Sequence, residues 1–251
     1  MFMIPTLYSE KFLTDYMTVD CESPDRISSI FSEIQNIAEF IEPEPCEVSD
    51  LLLCHSEIII KLVMKDKVVY ETARLAAGGA IRAAEIALER PSFALIRPPG
   101  HHAGYNFNGG FCFFNNMTIA LMNLFSRGFI SDALIIDIDL HYGNGTYDIV
   151  KDDKRIAFRN IDASSREDFF SQLTEALKDA SSFDIVGCSA GFDTYIRDWG
   201  SLLFTRDYKK IAGMLISRNP HTFAILEGGY YIPDLGINAR SFLEGIQEHC
   251  S

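Results

Sequence analysis

The sequence predicts an α/β protein built on one parallel, doubly wound sheet flanked by helices. Three observations predict it. Short apolar runs alternate with longer segments of helical period along the whole chain. Two of those runs, Ala133-Leu-Ile-Ile-Asp and Phe183-Asp-Ile-Val-Gly, are of the kind expected of a strand covered on both faces. The length, 251 residues at 47% hydrophobic and 23% charged, supports a sizeable core. It fits one large domain or two small ones, and the lack of repeats or a Gly/Ser/Pro linker favours one domain over 1–251.

Taken in order, strands are expected at 51–55, 93–97, 133–139, 155–158, 184–189 and 222–226. Helices are expected near 27–40, 71–89, 116–126, 166–179, 205–217 and 239–247. Thr205 followed by Tyr208, Ile211, Ala212 and Leu215 reads as an N-cap and a buried stripe.

Composition excludes several classes. The hydrophobic and charged fractions rule out disorder and low-complexity architectures. No run approaches the roughly 20 apolar residues of a membrane span. The opening Met1-Phe-Met-Ile-Pro-Thr lacks a basic, apolar signal peptide, which predicts a cytoplasmic location. A net charge of −13 argues against nucleic acid as a partner. Residues 1–60 hold 12 acidic and only two basic side chains, read as a solvated acidic face. Six scattered cysteines form no C-x-x-C pattern and read as free, mostly buried thiols.

In a doubly wound sheet, chemistry gathers at the carboxyl ends of the strands. Four polar clusters follow predicted strands. Arg97-Pro-Pro-Gly-His101-His102-Ala ends the first, placing two imidazoles where a pKa near 6.5 suits proton transfer. His55, His221 and His249 stand alone and read as core or surface residues. The second cluster is Asp137-Ile-Asp139-Leu-His141-Tyr-Gly-Asn144. Residues two apart share a face of a strand, so Asp137, Asp139 and His141 are expected to project together. Such groups on a buried strand need partners or a metal, and carboxylate with imidazole suits a borderline cation such as zinc. Ser189-Ala-Gly-Phe-Asp193 offers a third ligand, and Leu226-Glu227-Gly228-Gly229-Tyr230 aims a phenol from a flexible Gly-Gly turn.

Together these motifs resemble the histone deacetylase superfamily, which also includes acetylpolyamine amidohydrolases and acetoin-utilisation proteins. Leu51–Ser56 and Tyr70–Ala80 match its weaker N-terminal signatures, and Asn144 and Glu227 favour the class II and prokaryotic branch. The resemblance implies an arginase/deacetylase-like fold and a zinc-dependent deacylase acting on acetyl-type amides of primary amines. The substrate would be an acylated small amine or polyamine, or acetyl-lysine. By resemblance, Asp139, His141 and Asp193 hold the zinc, with iron(II) or cobalt as possible occupants. His102 acts as general base with Asn144 behind it, and His101 is held by Asp137. Tyr230 stabilises the oxyanion, Gly110 accepts the amide N–H, Phe111 forms one tunnel wall, and Arg26 lies near an acetate channel. The alternative is a metal-holding scaffold without efficient hydrolysis.

Binuclear manganese arginases share this fold, but their second-metal carboxylates are replaced here by Gly143 and Gly191. One metal is therefore expected. Compared with the family pattern, the segment 151–183 is short: no residue in it is assigned to the opposite aromatic wall, and the serine ligation of a structural potassium ion that the resemblance implies is left open. The rim aspartate that grips peptide has no clear counterpart, Asp66 being the nearest carboxylate. The usual Asp-Pro after the third ligand becomes Asp198-Trp199, and Trp199, the only tryptophan, is read either as refilling the rim or as a packing residue.

Overall fold

The computed structural model describes residues 3–250; Met1 and Phe2 of the opening segment and Ser251 lie outside the described residues. Seven strands form one sheet: β1 (Ile4–Leu7), β2 (Ala38–Ile41), β3 (Ser92–Ala94), β4 (Ala133–Asp137), β5 (Ile156–Asn160), β6 (Ile185–Ala190) and β7 (Thr222–Leu226). Their order is β2-β1-β3-β7-β6-β4-β5, and every pairing is parallel. The helices are α1 (Asp25–Ile34), α2 (Val48–Leu51), α3 (Glu57–Val63), α4 (Lys67–Ala87), α5 (Asn116–Ser126), α6 (Asn144–Val150), α7 (Arg166–Ala176), α8 (Thr205–Arg218) and α9 (Ile232–His249).

All positions of β3, β4, β6 and β7 are buried, so their apolar runs are covered on both faces as the sequence predicts. One helical group is α1, α8 and α9; α4 and α5 form another. The stripe Tyr208, Ile211, Ala212 and Leu215 is buried. None of the described helices is long and apolar enough to cross a membrane. All six cysteines are free, four of them buried.

Several elements depart from the sequence reading. The run 51–55 is no strand: Leu51 ends α2, where Asp50 accepts the Glu47 N–H at 2.8 Å, and the chain then turns into α3. Leu51, Cys54 and His55 are buried while Leu52 and Leu53 are exposed, the spacing of a helical turn rather than of a strand. The predicted helix 27–40 stops at Ile34 and its tail becomes β2, since Ile37, Ala38 and Phe40 continue an apolar spacing that serves either state. β1 carries Pro5 yet lies inside the sheet. β3 begins pairing only opposite Thr6, so Pro5 forfeits no bond to it. Thr205 is the first residue of α8 rather than its cap; Asp207 receives the Phe204 N–H at 2.9 Å, and the Thr205 hydroxyl turns to Asn238. Asp66 caps α4 through Val68 and Val69 N–H, so its carboxylate is held at the helix start.

The sheet order gathers the chemistry. The loops leaving β3, β7, β6 and β4 come from four adjacent strands, although two of these lie far apart in sequence. The strand ends are nearly level, with Asp137 opposite Ser189 and Ala190 opposite Leu226.

Candidate metal centre

Asp137 is the last residue of β4, so Asp139 and His141 do not project from an extended strand as the two-residue spacing predicted. The chain curls instead. The Asp139 N–H bonds Asp137 Oδ1 at 3.1 Å, and the His141 N–H bonds Asp139 Oδ1 at 2.9 Å. The curl separates their tasks: Asp137 stays behind the site, while Asp139 and His141 meet Asp193 from the β6 loop. Ligand atoms of Asp139, His141 and Asp193 all lie within 4.8 Å of one another.

Asp139 Oδ2 accepts the Gly228 N–H at 2.8 Å and Asp193 Oδ1 the Leu140 N–H at 3.0 Å. Asp193 Oδ2 is buried without a hydrogen bond, although His141 Nδ1 lies 2.9 Å away. His141 Nδ1 also lies 3.3 Å from Asp139 Oδ1, so the imidazole sits between the two carboxylates. An orphaned carboxylate oxygen, a second carboxylate and an imidazole form a donor set suited to one divalent cation. Burial and the neighbouring Asp139 charge raise the Asp193 pKa, and the carboxylates of Asp139 and Asp193 raise that of His141 to about 10. The concentrated negative charge is what a cation would neutralise.

No room exists for the carboxylates of a second metal. A Cβ on Gly191 would meet Asp139 Oδ2 at 2.1 Å, and one on Gly143 would meet Asp137 Oδ2 at 2.4 Å. A second group, His101, Cys112 and Glu227, also clusters within 4.8 Å, but its atoms are committed. Glu227 Oε2 accepts the N–H groups of Gly100 and His101, and Cys112 Sγ bonds the Gly110 carbonyl.

The histidine pair leaves β3 with ring centroids 4.0 Å apart. His101 Nδ1 lies 3.1 Å from Asp137 Oδ2. Burial works against its charge, but Asp139 and Asp137 outweigh it and hold the His101 pKa well above the usual value. His102 Nδ1 lies 2.6 Å from Asn144 Oδ1, an acceptor, which requires the proton on Nδ1 and leaves Nε2 as a base. Burial, then the His101 charge, lowers its pKa to about 4. The two adjacent imidazoles are thereby driven to opposite states. Gly110, at φ 54°, presses on His102: a Cβ there would meet its ring at 2.3 Å. Phe111 follows at φ 66°, a conformation costly for a bulky residue and held here by the surrounding loop.

Tyr230 stands on the other side. Its N–H and that of Tyr231 both donate to Asp198 Oδ2, at 2.6 and 2.7 Å. Burial raises its phenol pKa, keeping the proton in place as a donor. The Arg26 guanidinium lies 5.0 Å from its ring centroid and donates to the carbonyls of Gly229 and Glu227. Arg26 pairs with Glu22, which also receives Arg97 Nε at 2.8 Å and the Tyr16 hydroxyl at 3.1 Å. Glu22 is thus no part of a solvated acidic face. Sequence reasoning found Arg26 but missed the Glu22–Arg97 pair and Asp198, which join segments 75 and 32 residues apart. Where the chain is short after β5, a cavity of about 660 Å³ opens beside the ligand loop, lined by Tyr142, Tyr147, Phe158 and Asn160 among others.

The seven-stranded parallel sheet flanked by helices is the arginase/deacetylase fold, as comparison with known proteins shows. The histone deacetylase domain matches residues 20–181, and the chain belongs to the histone deacetylase family, which is generally metal-dependent. A probable deacetylase of Methanothermobacter thermautotrophicus is 30% identical over 82% of this chain and 78% of its own length. An acetylpolyamine amidohydrolase of Mycoplana ramosa is 29% identical over 70% of this chain. Histone deacetylase 8 of Arabidopsis thaliana is 36% identical over 56% of it. This chain's matched part spans 63% and 44% of those two relatives. The crystal structure of the HDA15 HD domain shares the fold, with a TM-score of 0.88 over 98% of this chain and 88% of that one, at 22% identity.

Proposed function

We propose that the protein is a zinc-dependent deacylase that hydrolyses an acetyl-type amide of a primary amine, with Asp139, His141 and Asp193 as the zinc ligands. The observation that carries this is the buried, unbonded Asp193 Oδ2 converging with His141 and Asp139 beside a histidine pair in opposite protonation states. When bound, the cation supplies Lewis acidity for the amide carbonyl and for water.

The protein groups divide the remaining work. His102 Nε2 takes a proton from the attacking water as its oxygen bonds the carbonyl carbon, with Asn144 fixing the ring. When the C–N bond breaks, His102 returns that proton to the departing amine. His101, charged between Asp137 and Asp139, discourages His102 from holding its proton. The Tyr230 phenol donates to the developing oxyanion. The Gly110 carbonyl accepts the substrate N–H in place of the Cys112 thiol, and Phe111 lines the approach. Arg26 braces the turn that carries Tyr230. The favoured substrate is an N-acetylated small amine, as the names of several relatives also indicate; acetyl-lysine is the alternative.

A fluorogenic acetyl-lysine substrate and an N-acetylated diamine test this directly. Turnover should vanish with chelator and return with zinc, with iron(II) and cobalt compared in parallel. His102→Ala should lower kcat by about 10²-fold or more, and Tyr230→Phe by about 10²–10³-fold. Fully metallated protein inert toward every acyl chain would leave only a metal-holding scaffold.

A further inference from the structure

Six large apolar side chains, Val48, Leu52, Leu53, Ile58, Leu62 and Met64, stand exposed within 17 consecutive residues of α2, α3 and the turn between them. Ile58 is the extreme, at 70% of its surface. Both helices have already packed their inner sides, since Leu51, Cys54, Ile59, Ile60 and Val63 are buried. Ile58 and Leu62, one turn apart on α3, therefore face outward together. The group continues past the helices. The Ser56 N–H bonds the Tyr105 carbonyl at 2.8 Å, and the Ser56 hydroxyl donates to Asn106 Oδ1 at 2.6 Å, which holds that loop against the start of α3. Tyr105 and Phe107 are exposed there as well.

Scattered exposed apolar residues are ordinary, but a concentration of this size is not. At about half exposure the eight side chains present roughly 750 Å², beyond the largest patch of a typical monomer and close to the roughly 800 Å² that each partner brings to a stable dimer. The charges around them suit a second copy of this chain. Exposed Glu47 and Glu57 lie toward the start of the stretch, and exposed Lys61, Lys65 and Lys67 toward its end. A two-fold axis across α3 runs the helix antiparallel to its counterpart, setting acidic end against basic end and Ile58 against Leu62. A lipid surface fits less well, because a net charge of −13 is repelled by anionic headgroups.

We propose that this face is the interface of a homodimer, closed by two-fold pairing of α3 with the same helix of a second copy. It extends to the loop between His102 and Gly110, so the contact borders the candidate metal site, although all three candidate ligands come from one chain. The proposal stands on the surface alone and does not depend on the deacylase reading.

Sedimentation velocity on the full chain over a range of concentrations tests it. A species of twice the monomer mass should form, with a Kd that is micromolar or tighter. Ile58→Glu puts a charge at the centre of the pairing and should weaken it at least about thirtyfold. Leu62→Gln, a milder change, should weaken it about tenfold. Both positions are exposed, so the fold of each variant should be retained, read as a cooperative urea transition. Ile237→Glu, at an exposed position of α9, should leave the dimer intact. A monomer at every concentration, or a dimer indifferent to both α3 variants, would overturn the proposal. Monomeric protein that floats with phosphatidylcholine–phosphatidylglycerol vesicles, and is released by Ile58→Glu, would overturn it in favour of a lipid surface.

Discussion

His55 shows how environment assigns a histidine its task. It is buried, its Nδ1 lies 2.9 Å from the Gly104 carbonyl, and its Nε2 accepts the Asn115 N–H at 2.9 Å. Burial lowers its pKa to about 4, so it is neutral and structural, as its isolation in the sequence implied. The unfolded chain takes up that proton near pH 6.5 and the folded one only near 4, so stability is full above pH 6.5 and falls as pH drops towards 4. Between pH 7 and pH 5 His55 should cost about 2 kcal/mol, and His55→Gln should flatten that part of the slope in urea unfolding. An unchanged slope would refute it. His101 and His102 are similarly shielded from water, but nearby carboxylates reverse the outcome for His101 alone.

Between elements, the Glu22 carboxylate joins the segment before α1 to the end of β3 and, through Arg26, to the turn after β7. Removing one partner of a buried ion cluster leaves uncompensated charge, at a cost of about 3–5 kcal/mol. Glu22→Gln should therefore lose about 3 kcal/mol in chemical denaturation, whereas Glu57→Gln, in an exposed pair, should leave the midpoint nearly unmoved. Equal losses would contradict the bracing role.

Such links explain what the sequence made legible. Short motifs after β3, β4, β6 and β7 announced the metal and histidine groups, because each motif is local and ends an apolar run. Glu22 with Arg97 was not legible, since 75 residues separate them. Asp198 looked like an ordinary loop acid until its carboxylate met Tyr230 N–H 32 residues later. β1 and β2, four residues each, carry too little periodicity to stand out, and Pro5 masks the first.

At the scale of the molecule, the candidate metal centre brings two buried carboxylates together and leaves one of their oxygens, Asp193 Oδ2, without a hydrogen bond. Cation binding should therefore stabilise the whole protein. Zinc at about 100 times its Kd should add about 2.7 kcal/mol, read as a higher urea midpoint that chelator reverses and Asp193→Ala abolishes. A midpoint indifferent to zinc would argue against the site.

The strand order also has a temporal consequence. β3 and β4 are separated by β7 and β6, which are synthesised after both. Strands lie about 4.8 Å apart, so the histidine pair and the Asp139 loop meet across a gap that stays unfilled until residue 226 exists. A nascent chain complete through β5 holds His101, His102, Asp137, Asp139, His141 and Asn144 but neither Asp193 nor the two strands that align them. The candidate ligand set is therefore completed only once β6 and its loop have been made, late in synthesis of the chain.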